Sequence, residues 1–563
     1  MRLPGIIPGT CGLTQSNGFL AMQAFYYSIK HIEQLLDVEF NTIFMDFCFD
    51  EIRANSILQP LFQPGGLMVV DSDGHDETFS YDHVIAVVGD NASDMSTILQ
   101  GFLKLFNIPQ ISPSSTSPHL SNKALHPTFL RNVPNDSDQA AAMVKILKAS
   151  GIEKFSLIYS TSSYGLSGSL YLKEAVQAEG NMCVSFEASI SKEKSQRHKN
   201  LQNILSHITD SNHKTMAYVF FGHQYDITEI LDLLKTSPHR STWIELGRFF
   251  VASETWGTLP TTLADGRDKL ALGSMTFSFD SSWFKWTNER GVNHFKNYVG
   301  EMTPENNKDD HIFLMFWQEN FGCSVKGKYD LWHQRVCPTY CNLVSDNCPD
   351  RKWAEFDFEN PNIKNVVIAT YSIGYAIYDA ISESDCNGIC TEIFSKNSGD
   401  FLKHLRTAKI PDQVWTTANP RPARKSLPFN SVGEGLAMYS VFNVQPAGYV
   451  QVYNVREGTV TLKEGKQPKY FPRGHEAFMA QIINERCPYT EDDEAPINKL
   501  EHLDYGSKID IITKATAFCV PNLVISVILT LLLLPVVMHY FYFVFRHGAP
   551  LQTSGKASLN LQG

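Results

Sequence analysis

Positive charge is scarce in this sequence. Lys and Arg together number 48 against 59 Asp and Glu, and the formal net charge is −11. No tract of basic residues offsets this balance. A protein that binds nucleic acid needs a basic face to neutralise the phosphates, so we expect no nucleic-acid partner.

Signatures of the common enzyme classes are also missing. The sequence contains no P-loop, no HExxH zinc motif and no Gly-x-Ser-x-Gly nucleophile motif. Gly165-Leu-Ser-Gly168 comes near to the last of these, but it begins a helical pattern and indicates a structural role. We therefore predict that the protein is not an enzyme and uses no cofactor.

Charged residues are absent from one long segment. No Asp, Glu, Lys or Arg occurs between residues 515 and 545, and roughly 20 apolar residues suffice to span a bilayer. We predict a transmembrane helix at 515–545 in contact with membrane lipid, with a long buried core helix as the alternative. Arg546 follows this segment and four acidic residues precede it at 491–494. Because basic residues favour the cytoplasmic side, the sequence predicts a plasma-membrane protein with an extracellular N-terminus, one visible span and a cytoplasmic tail at 546–563.

The N-terminus lacks the apolar core of a signal peptide, although an exported protein needs one. We therefore expect the N-terminus to be incomplete.

Ten of the 11 cysteines precede the apolar segment, as expected for disulfides in an oxidising compartment. Four of them cluster at 323–348, where a zinc site is the rival interpretation. The cluster repeats no CxxC pair, so we expect disulfides and no metal.

From about residue 80 the sequence alternates two kinds of segment. Short apolar runs at 83–89, 155–159 and 217–221 are typical of buried strands. Between them, apolar residues recur at helical spacing, as in 95–103. Strands that alternate with helices predict an α/β fold with a parallel sheet and helices on both of its faces. The 563 residues are too many for a single ordinary domain.

Polar residues lie where these predicted strands end. Ser93, Thr116, Tyr164 and Glu254 each follow a predicted strand, and Asp136 opens a predicted helix. Sheets of this class bind ligands at the carboxyl ends of their strands, and free N–H groups at a helix start favour an anion. For any one residue alone, helix capping or ordinary loop polarity is an adequate explanation. Together they mark the edge at which we expect a binding site.

Several segments agree in order and spacing with a known receptor family. The chain resembles class C G-protein-coupled receptors, and metabotropic glutamate receptors most closely, over roughly residues 1–470. The segments that carry the resemblance are Cys11-Gly12, Asp46-Phe-Cys48, 108–117, 120–123, 129–136, 164–168, 316–323 and 449–463.

The resemblance implies a Venus-flytrap clamshell of two α/β lobes, similar to periplasmic binding proteins. The first lobe is expected to comprise about 1–133 and 270–412, and the second about 136–265 and 420–470. A linker at 471–514 then leads to the predicted C-terminal transmembrane helix. The cysteine-rich module that the family carries in this region is absent.

The family closes its two lobes on an amino acid, and its binding residues match the positions marked above. By resemblance, Ser93 and Thr116 hold the α-carboxylate of the ligand. Asp136, Tyr164 and Glu254 surround its ammonium group. Hydroxyls and helix N–H groups suit an anion, whereas carboxylates and a tyrosine ring suit a cation.

Glutamate receptors also hold the distal carboxylate of their ligand with an arginine and a lysine. The arginine position is occupied here by Ala21 or Met22, and the lysine is preserved at best as Lys396, which is out of register. A buried carboxylate without a partner is costly. We therefore expect a neutral or basic amino acid, and not glutamate, as the ligand.

The resemblance also implies three disulfides, Cys11–Cys48, Cys323–Cys337 and Cys386–Cys390. A fourth pair, Cys341–Cys348, is suggested only by proximity in sequence. Cys183 is expected to be either free or paired with Cys487. Two glycosylation sequons begin at Asn91 and Asn135 beside the expected cleft. We expect both to be unmodified because a glycan would block lobe closure.

Signalling in the family depends on lobe closure within a homo- or heterodimer, and a G protein is engaged by membrane helices that this sequence does not contain. Two interpretations follow: part of a longer receptor, or a single-pass protein that acts as a decoy or subunit. A guanylate-cyclase-linked receptor is the alternative family. It would require a kinase-like and a cyclase region, whereas only 18 residues follow residue 545.

Overall fold

The computed structural model describes residues 2–4, 11–14, 16–70, 76–213, 215–287, 292–304, 306–307, 310–321, 356–383, 400–414 and 423–470. All of them belong to one compact unit, Met1–Cys487. The cysteines from 323 to 390, Lys396, the predicted linker at 471–514 and the predicted span at 515–545 lie outside the described residues.

Short strands and amphipathic helices alternate through most of the described chain. The strands are β1 (Arg2–Pro4), β2 (Cys11–Thr14), β3 (Leu67–Val70), β4 (Asp76–Phe79), β5 (Val87–Val88), β6 (Gln110–Ser112), β7 (Phe129–Arg131), β8 (Lys154–Ser160), β9 (Cys183–Ile190), β10 (Ala217–Phe221), β11 (Phe249–Ala252), β12 (Met275–Phe279), β13 (Ile410–Pro411), β14 (Arg424–Ser426), β15 (Met438–Gln445), β16 (Gly448–Arg456) and β17 (Thr459–Leu462). The helices are α1 (Ser16–Leu36), α2 (Glu51–Leu61), α3 (Ser93–Leu103), α4 (Asp136–Ala149), α5 (Ser163–Glu179), α6 (Lys194–Thr209), α7 (Gln224–Thr236), α8 (Arg240–Glu245), α9 (Pro260–Leu263), α10 (Asp268–Ala271), α11 (His294–Gly300), α12 (His311–Phe321), α13 (Pro361–Glu383) and α14 (Asp400–Thr407).

The largest sheet has eight strands in the order β17-β16-β15-β12-β11-β10-β8-β9. The pairs from β12 to β9 are parallel, and β15, β16 and β17 extend the sheet by antiparallel pairing. Every residue of β10 is buried, as required for a central parallel strand covered by helices on both faces. The predicted α/β class with a parallel sheet is confirmed and fits a periplasmic-binding-protein-like fold.

A second parallel sheet contains three strands in the order β5-β6-β7. The sequence predicted a buried strand over 83–89, but β5 comprises only Val87 and Val88, and both are half-buried. Residues Tyr81–His83 form a 3₁₀ turn instead. Because β5 lies at the edge of the sheet, it has one neighbouring strand in the described part of the chain, which limits both its length and its burial.

Helices α1 and α13 pack against each other beside the three-stranded sheet, and their apolar side chains share one hydrophobic core. Their close approach depends on Gly374 in α13. A Cβ atom at this position would lie 2.5 Å from the Ile32 side chain of α1. Glycine is disfavoured inside a helix, so close packing explains its presence here.

Replacing Gly374 with alanine is therefore expected to lower the free energy of unfolding by about 2 kcal/mol, since the new methyl group overpacks a filled core. Gly101 in α3 is the matched control, because a Cβ atom there would meet nothing within 4 Å. Gly101→Ala should instead stabilise by up to about 1 kcal/mol through helix propensity. Denaturant unfolding of both variants measures the contrast, and equal effects would show that the α1–α13 contact is not tightly packed.

The prediction of a plasma-membrane protein with one visible span needs correction. Within the residues that the structure describes, no helix combines the length and apolar character needed to cross a bilayer. The two longest, α1 and α13, carry charged residues such as Glu33 and Asp379, and their apolar side chains pack into the protein core. The segment 515–545, on which the prediction rested, lies outside the described residues.

Candidate functional site

The five predicted binding residues all lie at the starts of helices or in the segments that follow strands. Ser93, Asp136 and Tyr164 stand in the first turns of α3, α4 and α5, whereas Thr116 and Glu254 lie in the segments that follow β6 and β11. All five are buried, and the most exposed of them, Glu254, retains only 8% of its accessible surface. Ordinary loop polarity would leave such residues in solvent, so it does not account for them.

Tyr164 and Glu254 are in direct contact, although 90 residues separate them in sequence. The Tyr164 hydroxyl donates a hydrogen bond of 2.9 Å to Oε2 of Glu254. Burial raises the pKa of Glu254 to about 7, against the opposing effect of this hydrogen bond. The pKa of Tyr164 is raised well above its ordinary value by burial and by the carboxylates of Glu254 and Asp136. Near neutral pH the pair can therefore lose a proton when a cation approaches.

Asp136 and Thr116 are joined through the backbone. The Asp136 amide donates a hydrogen bond of 2.9 Å to the Thr116 carbonyl. In the described part of the chain, neither the Asp136 carboxyl oxygens nor the Thr116 hydroxyl has a well-formed hydrogen bond. Burial is the main reason why the pKa of Asp136 lies well above its usual range, and the Glu254 carboxylate raises it further. The Thr116 hydroxyl and Arg131 lower this pKa, but their effects are weaker. Buried polar groups in proteins normally have partners, so this pair indicates a place for a polar ligand.

Ser93 completes the group from the α3 side. Its hydroxyl accepts a hydrogen bond of 3.1 Å from the Ser117 amide, and this bond ties the start of α3 to the segment that carries Thr116. The five predicted residues are thus linked in series. Ser93 bonds Ser117, the neighbour of Thr116, Thr116 bonds Asp136, and the Asp136 carboxyl interacts electrostatically with Glu254.

A fully buried arginine supports this set, although no role was predicted for it from the sequence. Arg131 at the end of β7 donates hydrogen bonds of 2.9 Å to the Ser117 carbonyl and 3.2 Å to the Ser115 carbonyl. Its Nη2 atom lies 2.7 Å from Oε1 of Glu434. Arg131 thereby fixes the segment that carries Thr116 without contacting the predicted ligand groups directly. Its partner lies 303 residues away, and no local sequence pattern reveals such a pair.

A second set of contacts joins the start of α3 to the start of α5. Asp94 accepts a hydrogen bond of 3.0 Å from the Ser163 amide and forms an ion pair with Lys192. The hydroxyls of Ser117 and Ser167 are 3.1 Å apart. These contacts hold the start of α3, which carries Ser93, against the start of α5, which carries Tyr164.

Comparison with known proteins identifies this architecture. A family model described as receptor family ligand binding region matches residues 19–410. The chain belongs to this family. It is also similar to metabotropic glutamate receptor 8 of mouse, with 25% identity over 449 residues that cover 77% of this chain and 46% of the relative.

Two further relatives of this ligand-binding region have the same coverage pattern. Human metabotropic glutamate receptor 8 is 25% identical over 460 residues (79% of this chain, 47% of the relative), and metabotropic glutamate receptor 4 of Macaca fascicularis is 24% identical over 455 residues (77% and 46%). The chain spans about half the length of the curated relatives it matches. The predicted resemblance to the class C Venus-flytrap region is confirmed, and these relatives are receptors and not enzymes.

Two further expectations about the ligand-binding region concern its cysteines and sequons. Cys48 and Cys183 are disulfide-bonded, whereas the predicted assignment of their partners stays a prediction.

Asn135, the first residue of a predicted unmodified sequon, caps α4 through its side-chain oxygen, and its amide nitrogen donates a hydrogen bond of 3.2 Å to Glu434. A glycan would be attached to this nitrogen. The contact is consistent with an unmodified Asn135, and the prediction for Asn91 is untested.

The buried Glu254 carboxyl makes the stability of the ligand-binding region depend on pH. Its pKa is about 7 in the folded protein against an ordinary value of 4.5, so the unfolded chain loses this proton first as the pH rises. The free energy of unfolding should therefore fall between about pH 4.5 and pH 7 and level off above that. We expect Glu254→Gln to reduce this fall by roughly 1 kcal/mol per pH unit, measured by chemical unfolding across the window. Unchanged slopes in the variant would contradict the assignment.

Proposed function

We propose that this chain is a ligand-sensing ectodomain that binds an α-amino acid other than glutamate between two lobes. The lobes would comprise about 1–133 with 270–412, and about 136–265 with 420–470. In this proposal the ligand stabilises the closed arrangement by binding it more tightly than the open one. Closure within a homo- or heterodimer would carry the signal, and only a full-length form would engage a G protein.

The observation that carries the proposal is the buried Asp136 carboxyl without a well-formed hydrogen bond, next to the Glu254–Tyr164 pair. A ligand ammonium group would supply the missing donors and the missing positive charge. Two basic residues beside the site are already paired, Arg131 with Glu434 and Lys192 with Asp94. Arg131 therefore offsets the charge of Asp136 only weakly, and the pKa of Asp136 stays well above its ordinary value.

The opposite end of the ligand fits the buried hydroxyls. The Thr116 hydroxyl has no well-formed partner among the described residues, and the Ser93 hydroxyl hydrogen remains available because this oxygen accepts its bond from Ser117. Together with the N-terminus of α3, these groups suit a carboxylate. They support an α-amino acid over a simple amine.

Ala21 and Met22 support the exclusion of glutamate. Both side chains are buried in α1, with exposures of 5% and 2%, and neither can neutralise a distal carboxylate. A second negative charge on the ligand would add to the charge of Asp136 and Glu254. A neutral or basic side chain avoids this cost.

Thermal unfolding of the purified protein in the presence of each of the twenty amino acids tests the proposal. A ligand at about 100 times its Kd adds roughly 2.7 kcal/mol to the free energy of unfolding. We expect a rise in Tm with one or more neutral or basic amino acids and none with glutamate. Stabilisation by glutamate alone would overturn the specificity, and no response to any amino acid would count against the function.

The Lys192 contacts give a separate prediction about closure. Lys192 forms an ion pair with Asp94 and lies 3.6 Å from the Glu51 carboxylate. It is not one of the five proposed binding residues, but in this proposal its ion pair stabilises the closed arrangement of the lobes. Lys192→Ala should weaken amino-acid binding about three- to tenfold by favouring the open state. Lys173 of α5, which is paired with Glu187 of β9, is the control, and Lys173→Ala should leave the Kd unchanged. Equal effects in calorimetric titrations would show that the ion pair plays no part in closure.

A further inference from the structure

A buried glutamine lies beside the proposed ammonium site and is not one of the five predicted binding residues. Gln139 stands three residues after Asp136 in α4, and side chains at this spacing are neighbours on one face of a helix. Gln139 retains 1% of its accessible surface and Asp136 retains none. Both side chains interact with Glu254, so Gln139 belongs to the same buried polar group.

The two ends of the Gln139 amide have different surroundings. Burial raises the pKa of Glu254, and hydrogen bonds from the Tyr164 hydroxyl and, more weakly, from the Gln139 side chain oppose this effect. Only a hydrogen-bond donor lowers the pKa of a carboxyl group in this way, so the amide nitrogen of Gln139 faces Glu254. The amide oxygen Oε1 is buried and has no hydrogen-bond partner in the described part of the chain. Because buried acceptors in proteins normally have a donor, Oε1 indicates a place for one.

Three acceptors are thus grouped around the start of α4. They are the Asp136 carboxyl, whose two oxygens also have no hydrogen-bond partner among the described residues, the Glu254 carboxyl and Oε1 of Gln139. The α-ammonium group of an ordinary amino acid carries three N–H donors. One such group therefore matches the acceptors of the site in number and sign.

The three acceptors differ in strength. Hydrogen bonds to a carboxylate are roughly twice as strong as those to a neutral amide, so a ligand with only two N–H donors uses them for Asp136 and Glu254. The carbon atom that replaces the third hydrogen then lies against Oε1 of Gln139. This oxygen remains buried without a donor, which is unfavourable.

We propose that Gln139 accepts the third N–H of the ligand ammonium group and restricts the site to primary amino acids, with proline and other N-alkylated amino acids excluded. The inference rests on the proposed function and narrows its ligand class. Gln139 is then a specificity-determining residue, in addition to the five that hold the amino acid.

The experiment uses three pairs of probes in calorimetric titrations of the purified protein. They are L-alanine, L-leucine and L-lysine, each compared with its Nα-methyl derivative. Each primary amino acid that binds should do so at least about tenfold more tightly than its methylated partner, and proline should bind no more tightly than the methylated probes.

Gln139→Met assigns this preference to Gln139, because methionine has a similar shape but neither the donor nor the acceptor of the amide. The variant should bind the primary amino acid at least about tenfold more weakly and the methylated probe within about threefold of the unaltered protein, so that the preference largely disappears. Gln139→Leu is a second variant with the same expectation, should the first fail to fold. Gln100 in α3 is the control, since it is also fully buried and accepts a hydrogen bond from Thr128. Gln100→Met should leave both affinities unchanged.

The outcomes separate this inference from the proposed function. Equal weakening of both probes in Gln139→Met would show that the residue only positions Glu254, and unchanged affinities would show that it has no role. Either result overturns the inference and leaves amino-acid binding intact. No binding of any of the twenty amino acids to the unaltered protein would instead count against the proposed function and overturn this inference with it.

Discussion

Asp136→Ala is expected to abolish amino-acid binding while making the ligand-free protein more stable. The two effects have one cause, since the Asp136 carboxyl is fully buried and has no well-formed hydrogen bond in the described part of the chain. Such a group is costly in the ligand-free protein and becomes favourable only beside a cation. We expect the Kd to rise at least about 100-fold and the free energy of unfolding without ligand to rise by about 1–3 kcal/mol.

The opposite signs of these two effects separate a binding role from a structural one. A residue that merely caps α4 would lose stability on truncation, and Asn135 already performs that role. Asp138 is the matched control, because it lies in the same turn of α4 and is exposed to solvent. Asp138→Ala should leave binding unchanged. Titration calorimetry and denaturant unfolding of both variants give the comparison, and a destabilised Asp136→Ala protein with normal binding would refute our account of the residue.

Arg131→Ala is expected to produce the largest loss of stability, about 3–5 kcal/mol. The substitution leaves the Glu434 carboxylate buried without its cation and removes the donors to the Ser115 and Ser117 carbonyls. Burial is the largest single effect and raises the pKa of Glu434, but Arg131, Ser121 and Asn135 together bring the pKa below its ordinary value. The stabilisation by this pair is therefore present at neutral pH and is lost as the pH falls through the pKa of Glu434 in the folded protein.

The paired substitution tests this explanation for Arg131. Arg131→Ala with Glu434→Gln removes the uncompensated charge, so it should recover part of the loss seen in Arg131→Ala alone. The Arg424–Asp379 pair is the control, since it has similar distances of 2.5 and 2.6 Å but both side chains are about a quarter exposed. Arg424→Ala should cost only about 1 kcal/mol. Equal losses at the two arginines in denaturant unfolding would show that burial does not govern the effect.

Local sequence patterns predicted the parts of the fold that depend on short-range periodicity. The apolar run at 217–221 is the central strand β10, and the helically spaced apolar residues of 95–103 lie within α3. The rule that ligands bind at the carboxyl ends of parallel strands marked Thr116 and Glu254 as candidate site residues, and each lies in the segment after a parallel strand. Both features follow from a few consecutive residues, so the sequence contains them directly.

Long-range pairs were not predictable in the same way. Arg131 and Glu434 are 303 residues apart, and Asp94 and Lys192 are 98 apart. Each residue has an ordinary sequence context, and only the folded chain brings the partners together.

The central claim is that Asp136, Glu254 and Tyr164 bind the ammonium group of an amino acid. Calorimetric titration with the most stabilising amino acid and with its N-acetyl derivative tests it most directly, because the two differ at the group that these residues would contact. Our account predicts clear binding of the free amino acid and at least about 100-fold weaker binding of the acetylated form. Equal affinities for the two compounds, or no measurable binding of any free amino acid, would contradict it.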